Sequence, residues 1–165
     1  MERLQPVACY HDLPWNRYLP AGFQLSFQEH EDLINIFFEW FAFWGLRGDR
    51  QSFYSAMAAA LTSITTTTVC ASAHYGPMLH NVMLAIAMAF SPDPRFKFLE
   101  ARRMFVKKAQ EYLIDELQAP TLSGVLALSY LSSFFSGIGE RSAASIYFGI
   151  CASMAQVCTC LFKRF

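Results

Sequence analysis

The sequence predicts an all-α fold of about six helices in an antiparallel bundle or array, and three observations carry that prediction. Apolar residues recur every three or four positions through most of the chain, the period of a helix packed on one side. Prolines, glycines and capping residues interrupt these stretches at short intervals, as expected of antiparallel neighbours joined by tight turns. No run alternates apolar and polar residues with the period of two that a half-buried strand requires.

The elements follow in order. Residues 1–25 carry Pro6, Pro14 and Pro20 without a sustained period, and read as an extended or loosely packed lead-in. From residue 26 the spacing of Leu33, Ile36, Phe37, Trp40, Phe41 and Trp44 predicts an amphipathic helix. Glu29, Glu31 and Asp32 favour its N-terminus, and Gly45 stops it. Asp49 is the expected N-cap of a shorter helix through Phe53, Met57 and Ala60. Four threonines at 65–68 predict a surface loop, and Pro77, after Tyr75 and Gly76, opens a helix apolar nearly all round. Ser91 to Pro94 ends that helix. A charge-laced helix follows, with Phe98, Ala101, Phe105, Ala109, Tyr112 and Leu113 as its buried stripe. Ala119-Pro120 breaks it, Thr121 caps the next, and a Gly137–Gly139 turn leads into the last, where Ile146, Ile150, Met154 and Val157 form an apolar stripe.

At 165 residues the chain has the size of one ordinary domain. Hydrophobic residues make up 54% and charged residues 16%, which gives enough apolar surface to fold and argues against disorder. The formal net charge is zero, so no global field attracts nucleic acid or an anionic membrane. The five cysteines, Cys9, Cys70, Cys151, Cys158 and Cys160, are odd in number and lack a C-x-x-C pair, so they read as reduced thiols of an intracellular protein. The first fifteen residues hold acidic groups and prolines where a secretory signal needs an apolar run.

Four chemistries compete for the remaining features. Residues 117–139 and 142–162 carry no formal charge and are long enough for a two-span membrane hairpin, although serines and acidic flanks oppose it. Cys70, His74, His80, Cys158 and Cys160 are the residue types of a zinc site, but not in paired close spacings. Arg95, Lys97, Arg102, Arg103, Lys107 and Lys108 could form a phosphate track, yet acids at i, i+4 make them read as a solvated helix face. His30, between Glu29 and Glu31, reads as a solvated residue on an exposed first turn. No nucleophile elbow, metalloprotease motif or phosphate-binding loop occurs, so an enzyme is not expected.

The succession of segments carries more than any of these sites. His30 to Trp40, Phe53 to Met57, Tyr75 to Ser91, Ala109 to Leu117, Pro120 to Ser129 and Ile146 to Gln156, in that order, resemble the start of the fungal-specific transcription factor domain. This is the middle homology region of fungal binuclear zinc-cluster regulators, including the xylanolytic-activator type. The resemblance covers residues 26–157 and rests on Trp40, Pro77, Leu79, Asn81, Tyr147, Gly149, Met154 and Ala155. It implies the N-terminal part of a larger all-helical regulatory domain, with residues 158–165 as a divergent tail.

What the resemblance implies about function is regulation of transcription in the nucleus through a small effector or protein partners, with a homodimer among them. No cofactor is expected in this chain and no membrane. The family's zinc cluster, which reads DNA, needs six cysteines beginning with a close pair, so its zinc and DNA contacts map to no residue here. Ser153 stands where the family has an arginine, and the pattern departs at Val157. A small helical ligand binder is the alternative to the regulatory and membrane readings.

Overall fold

A computed structural model describes residues 11–41, 50–62 and 72–162, with side chains through Cys160. Among these residues the chain is all-helical and has no strand. Eight α-helices stand where about six were expected: α1 (Phe27–Ile36), α2 (Arg50–Thr62), α3 (Pro77–Phe90), α4 (Pro94–Lys97), α5 (Leu99–Glu111), α6 (Leu113–Gln118), α7 (Leu122–Gly137) and α8 (Arg141–Phe162). The larger number has local causes. Asp93 caps the one-turn α4 and accepts from Arg95 N, and a kink at Tyr112 divides the expected charge-laced helix into α5 and α6. Gly45, Trp44, Asp49, the threonines at 65–68, Cys9 and Cys70 lie outside the described residues.

Most starts and stops follow from the residues that mark them. Ser26 and Glu29 form a reciprocal capping box at α1. Pro77 occupies the first turn of α3, where a missing N–H costs nothing. The Thr121 hydroxyl accepts from Gly124 N to start α7. Gly139 turns the chain from α7 to α8 with φ of 85°, a conformation that glycine adopts without strain.

The core is built around α3, whose residues Pro77 to Met88 are all buried. α1, α5 and α7 pack on it, and α8 packs along α7 as an antiparallel partner. Phe135 stacks on Tyr147 with ring centroids 5.2 Å apart. Ser132 Oγ donates to the Ala144 carbonyl, and Cys151 Sγ donates to that of Val125. Arg102 joins α5 to α3 through Nε to the Ala85 carbonyl (3.1 Å) and lies over the Phe134 ring. Residues 11–25 form a series of turns that place Trp15 and Leu19 in the core. Asn81 of α3 fastens this segment by donating from Nδ2 to the Tyr18 carbonyl (2.9 Å) and also to that of Pro77 (2.8 Å).

Two apolar stripes are turned from their expected positions, and a third loses its first member while Ala101, Phe105 and Ala109 are buried as expected. On α1 the buried residues are His30, Glu31, Leu33 and Ile34, Phe37 is buried just after it, and Trp40 is 63% exposed. A π-helical turn at Phe37–Phe41 extends α1; its extra residue per turn shifts the phase, bringing Phe41 onto Phe37 and Tyr130 and carrying Trp40 outward. Phe98 is also exposed, because it precedes the first turn of α5 rather than belonging to its stripe. On α8 the inward residues are Ala144, Tyr147, Cys151, Met154 and Cys158, at helical spacing. Ile146 (62% exposed) and Val157 (47%) look outward.

Candidate functional site

Two features stand apart from ordinary helix packing: a polar cluster inside the core and an open apolar groove along α8. The cluster begins with His30, which is fully buried, contrary to its reading as a solvated residue. The cause is its register, three and four residues before Leu33 and Ile34 on the face α1 turns to α3. Its Nε2 lies 2.8 Å from Nε2 of the equally buried His80 of α3.

The hydrogen positions follow from the neighbours. Burial pushes the Tyr75 phenol far above its ordinary range, so Tyr75 stays protonated and donates to His80 Nδ1 (3.4 Å). His80 then carries its hydrogen on Nε2 and donates it to His30. His30 is left with its hydrogen on Nδ1, 3.8 Å from Glu31 Oε1. That carboxylate also accepts from Tyr54 OH at 2.6 Å and faces Arg50 at 3.7 Å. Burial alone would raise the Glu31 pKa, but the neighbouring His30, the hydrogen bond from Tyr54 and the charge of Arg50 outweigh it and hold the group ionised. Burial, followed by the nearby His30, drives the His80 pKa well below its ordinary value. The cluster from Tyr75 to Glu31 thus joins α1, α2 and α3 around two buried imidazoles. Neither ring meets solvent, so the pair is an internal tie rather than an accessible acid–base group.

The groove lies on the opposite flank. Its volume is about 540 Å3, with Leu117 and Pro120 on one wall and Ile146, Ile150 and Val157 of α8 on the other. Between those large residues run Ser145, Gly149 and Ser153, which give α8 a low ridge. The Ser153 hydroxyl is turned back to the Gly149 carbonyl, so it offers little to a ligand. Below the groove Glu116 is folded under Thr121, which donates to it at 2.8 Å. Gly124 makes room for this carboxyl and for Met154, because a Cβ there would lie 2.7 Å from Met154 Cε and nearer still to Glu116 Oε2.

The residues singled out by the sequence divide between the two flanks. Pro77, Leu79 and Asn81 are buried in α3 and serve the core. Trp40 is exposed at the end of the π-turn, away from both features. Tyr147 packs inward and accepts from Gln110 Nε2 at 2.7 Å. Gly149 and Met154 line the groove, and Ala155 is half-buried beside it. The helical register of His30 with Leu33 and Phe37, and the i, i+4 row of Ser145, Gly149 and Ser153, are the signals that could have found both features.

The competing chemistries find no assembled site. Among the described residues no three His, Cys, Asp or Glu side chains are placed to hold a metal ion. His74 and Cys160 are exposed, whereas His80 is committed to His30 and Cys158 is buried in α8. Four of the six basic residues have internal partners: Arg95 pairs with Asp93 and Glu29, Arg102 donates to the Ala85 carbonyl, Arg103 pairs with Glu140, and Lys108 with Glu111. The 117–139 stretch is broken at Pro120, leaving α7 with 16 residues, shorter than the about 20 needed to span a bilayer. Arg141–Cys160 does have the length and apolarity of a span, and 17% of its most apolar window is buried. Comparison with family models, with curated proteins and with solved structures returns no match.

Proposed function

We propose that this chain is the regulatory domain of a fungal zinc-cluster transcription regulator and works in the nucleus through protein contacts made by the outer face of α8. One observation carries the contact role: a 22-residue helix fastened to the core along one side turns Ile146 and Val157 outward along an open groove. Contiguous exposed apolar surface of this kind marks interaction sites. The ordered segments from His30 to Gln156 support the family assignment, and two of their residues, Gly149 and Met154, line the groove. Reading of DNA belongs to a zinc cluster outside this sequence, and this chain performs no chemistry.

The experiment fuses the chain to an unrelated DNA-binding domain in yeast and measures a reporter carrying that domain's site. The proposal expects output to change relative to the DNA-binding domain alone. An unchanged output, with the fusion present at equal level, rejects it.

A membrane role is the second reading, and the apolar length of α8 favours it. It predicts that the expressed chain stays with membranes after alkaline carbonate. The contact reading predicts release.

A further inference from the structure

We infer that residues 11–25 occupy, in cis, a peptide-binding groove across α1, α3 and α5, and that a partner protein presenting a proline-bearing segment with aromatic anchors takes their place. This groove lies apart from α8 and is independent of the contact face there.

The segment sits on the helices as a bound peptide does. Its backbone hydrogen bonds close turns within itself: Trp15 N to the Leu13 carbonyl, Arg17 N to Pro14, Leu19 N to Asn16 and Phe23 N to Pro20. Among the described residues a single hydrogen bond, from Asn81 Nδ2 to the Tyr18 carbonyl, and no ion pair join it to the helices. Side chains supply the rest of the hold. Trp15 lies against the His30 ring at 4.7 Å, and Tyr18 stands edge-to-face with Tyr112 at 6.3 Å. Leu19 is buried, and Phe23 packs on Phe105 at 5.2 Å. Between these anchors Asn16, Arg17 and Gln24 are exposed. A few large anchors set among solvent-facing residues is the pattern by which a peptide is recognised. Pro14 and Pro20 fix two backbone angles in advance, so seating the segment costs less conformational entropy. The partner's segment is therefore expected to space its anchors as Trp15, Tyr18, Leu19 and Phe23 do.

Two features make the occupant replaceable. The reciprocal Ser26–Glu29 capping box closes the N-terminus of α1 by itself, so that helix does not need the residues before Ser26 in order to start. Asn81 Oδ1 is buried and accepts no hydrogen bond. A partner that brings an N–H to this oxygen makes a bond that residues 11–25 do not. Because Leu25 runs directly into Ser26, the cis segment competes at an effective concentration on the order of millimolar, and so holds the groove against weak ligands.

The test titrates a fluorescein-labelled peptide, with the sequence of residues 11–25, with the full chain and follows fluorescence polarisation. Trp15→Ala and Tyr18→Ala together in the chain loosen the cis segment, and are expected to tighten binding of the probe by ~10-fold or more over the unsubstituted chain. A probe that itself carries Trp15→Ala is expected to bind the loosened chain ~10-fold or more weakly. Adding Asn81→Ala to the loosened chain is expected to weaken the unsubstituted probe by ~5-fold or more. Native-state hydrogen exchange of the unsubstituted chain is an independent measure. The amides of Trp15, Leu19 and Phe23 are expected to exchange ~10-fold or more faster than those of α3, as local release requires.

A folded, loosened chain that takes no probe, whether single or paired with a second copy, overturns the inference. So does a probe indifferent to its own Trp15→Ala change, or binding untouched by Asn81→Ala. A loosened chain that unfolds overturns it as well, since the helices then cannot stand without the segment. Exchange of residues 15–23 at the rate of α3 overturns it by making them one unit with the core.

Discussion

His30 and His80 meet Nε2 to Nε2 at 2.8 Å in the centre of the chain, with no solvent on either ring. Only one hydrogen fits between the two nitrogens. His30 also turns its Nδ1 toward Glu31 Oε1, 3.8 Å away. This polar chain holds three helices in one register and makes their packing sensitive to protons.

Acid is therefore expected to loosen the fold early. His80 is held below its ordinary 6.5, so the unfolded chain takes up its proton more readily than the folded chain. Stability present above about pH 6.5 is lost as pH falls through that value, by at most about 1.4 kcal/mol per pH unit for one such group. Glu31, lowered from 4.5, adds a further loss when pH falls through the carboxylate range. Urea unfolding at pH 7 and pH 5 measures the difference. A His30→Leu, His80→Leu double variant is expected to flatten the upper part of the profile.

The same pair predicts non-additive substitutions. His80→Leu alone leaves His30 Nε2 buried without a donor, at a cost of about 1–3 kcal/mol. Replacing both rings removes the orphaned atom, so the double variant is expected to lose less than the two single losses combined. A double-mutant cycle in urea reads the coupling.

Gly124 and Gly149 are expected to respond with opposite sign. A methyl at Gly124 strikes Glu116 and Met154, so Gly124→Ala costs about 1–3 kcal/mol. A methyl at Gly149 meets nothing, and alanine there is expected to stabilise the dilute chain by roughly 0.5–1 kcal/mol. Thermal unfolding of both variants at low loading compares them.

Asn81 tests whether the turns at 11–25 belong to the fold. Its amide is fully buried and donates to Tyr18 and Pro77. Asn81→Ala leaves the Tyr18 carbonyl without this donor, and a loss of about 1–3 kcal/mol is expected. Limited proteolysis of the variant is expected to cut before residue 25 sooner than in the unsubstituted chain.

The helices were legible wherever a local signal fixes them. Pro77 and Thr121 start α3 and α7, the all-apolar run after Pro77 names the central helix, and Phe53, Met57 and Ala60 fall on the buried face of α2. The rotation of a helix about its axis was harder to read, because several faces of these segments are apolar enough to serve. Trp40 was expected inside until the π-turn moved the phase. On α8, Ile146 and Val157 looked like core by spacing, but Tyr147, Cys151 and Met154 make the closer fit to α7. His30 was hidden for the opposite reason: a histidine between two glutamates signals solvent, although its register with Leu33 and Ile34 sets it on the buried face, where it meets a partner fifty residues away.

The outer face of α8 is tested most directly by the tethered reporter with Ile146→Ser and Val157→Ser together. Both side chains are largely outside the core, so the variant is expected to unfold at the temperature of the unsubstituted chain. The unsubstituted fusion is expected to shift reporter output, and the folded variant to return it to the level of the DNA-binding domain alone. A folded variant that shifts output as fully as the unsubstituted chain would contradict the assignment of contact to this face.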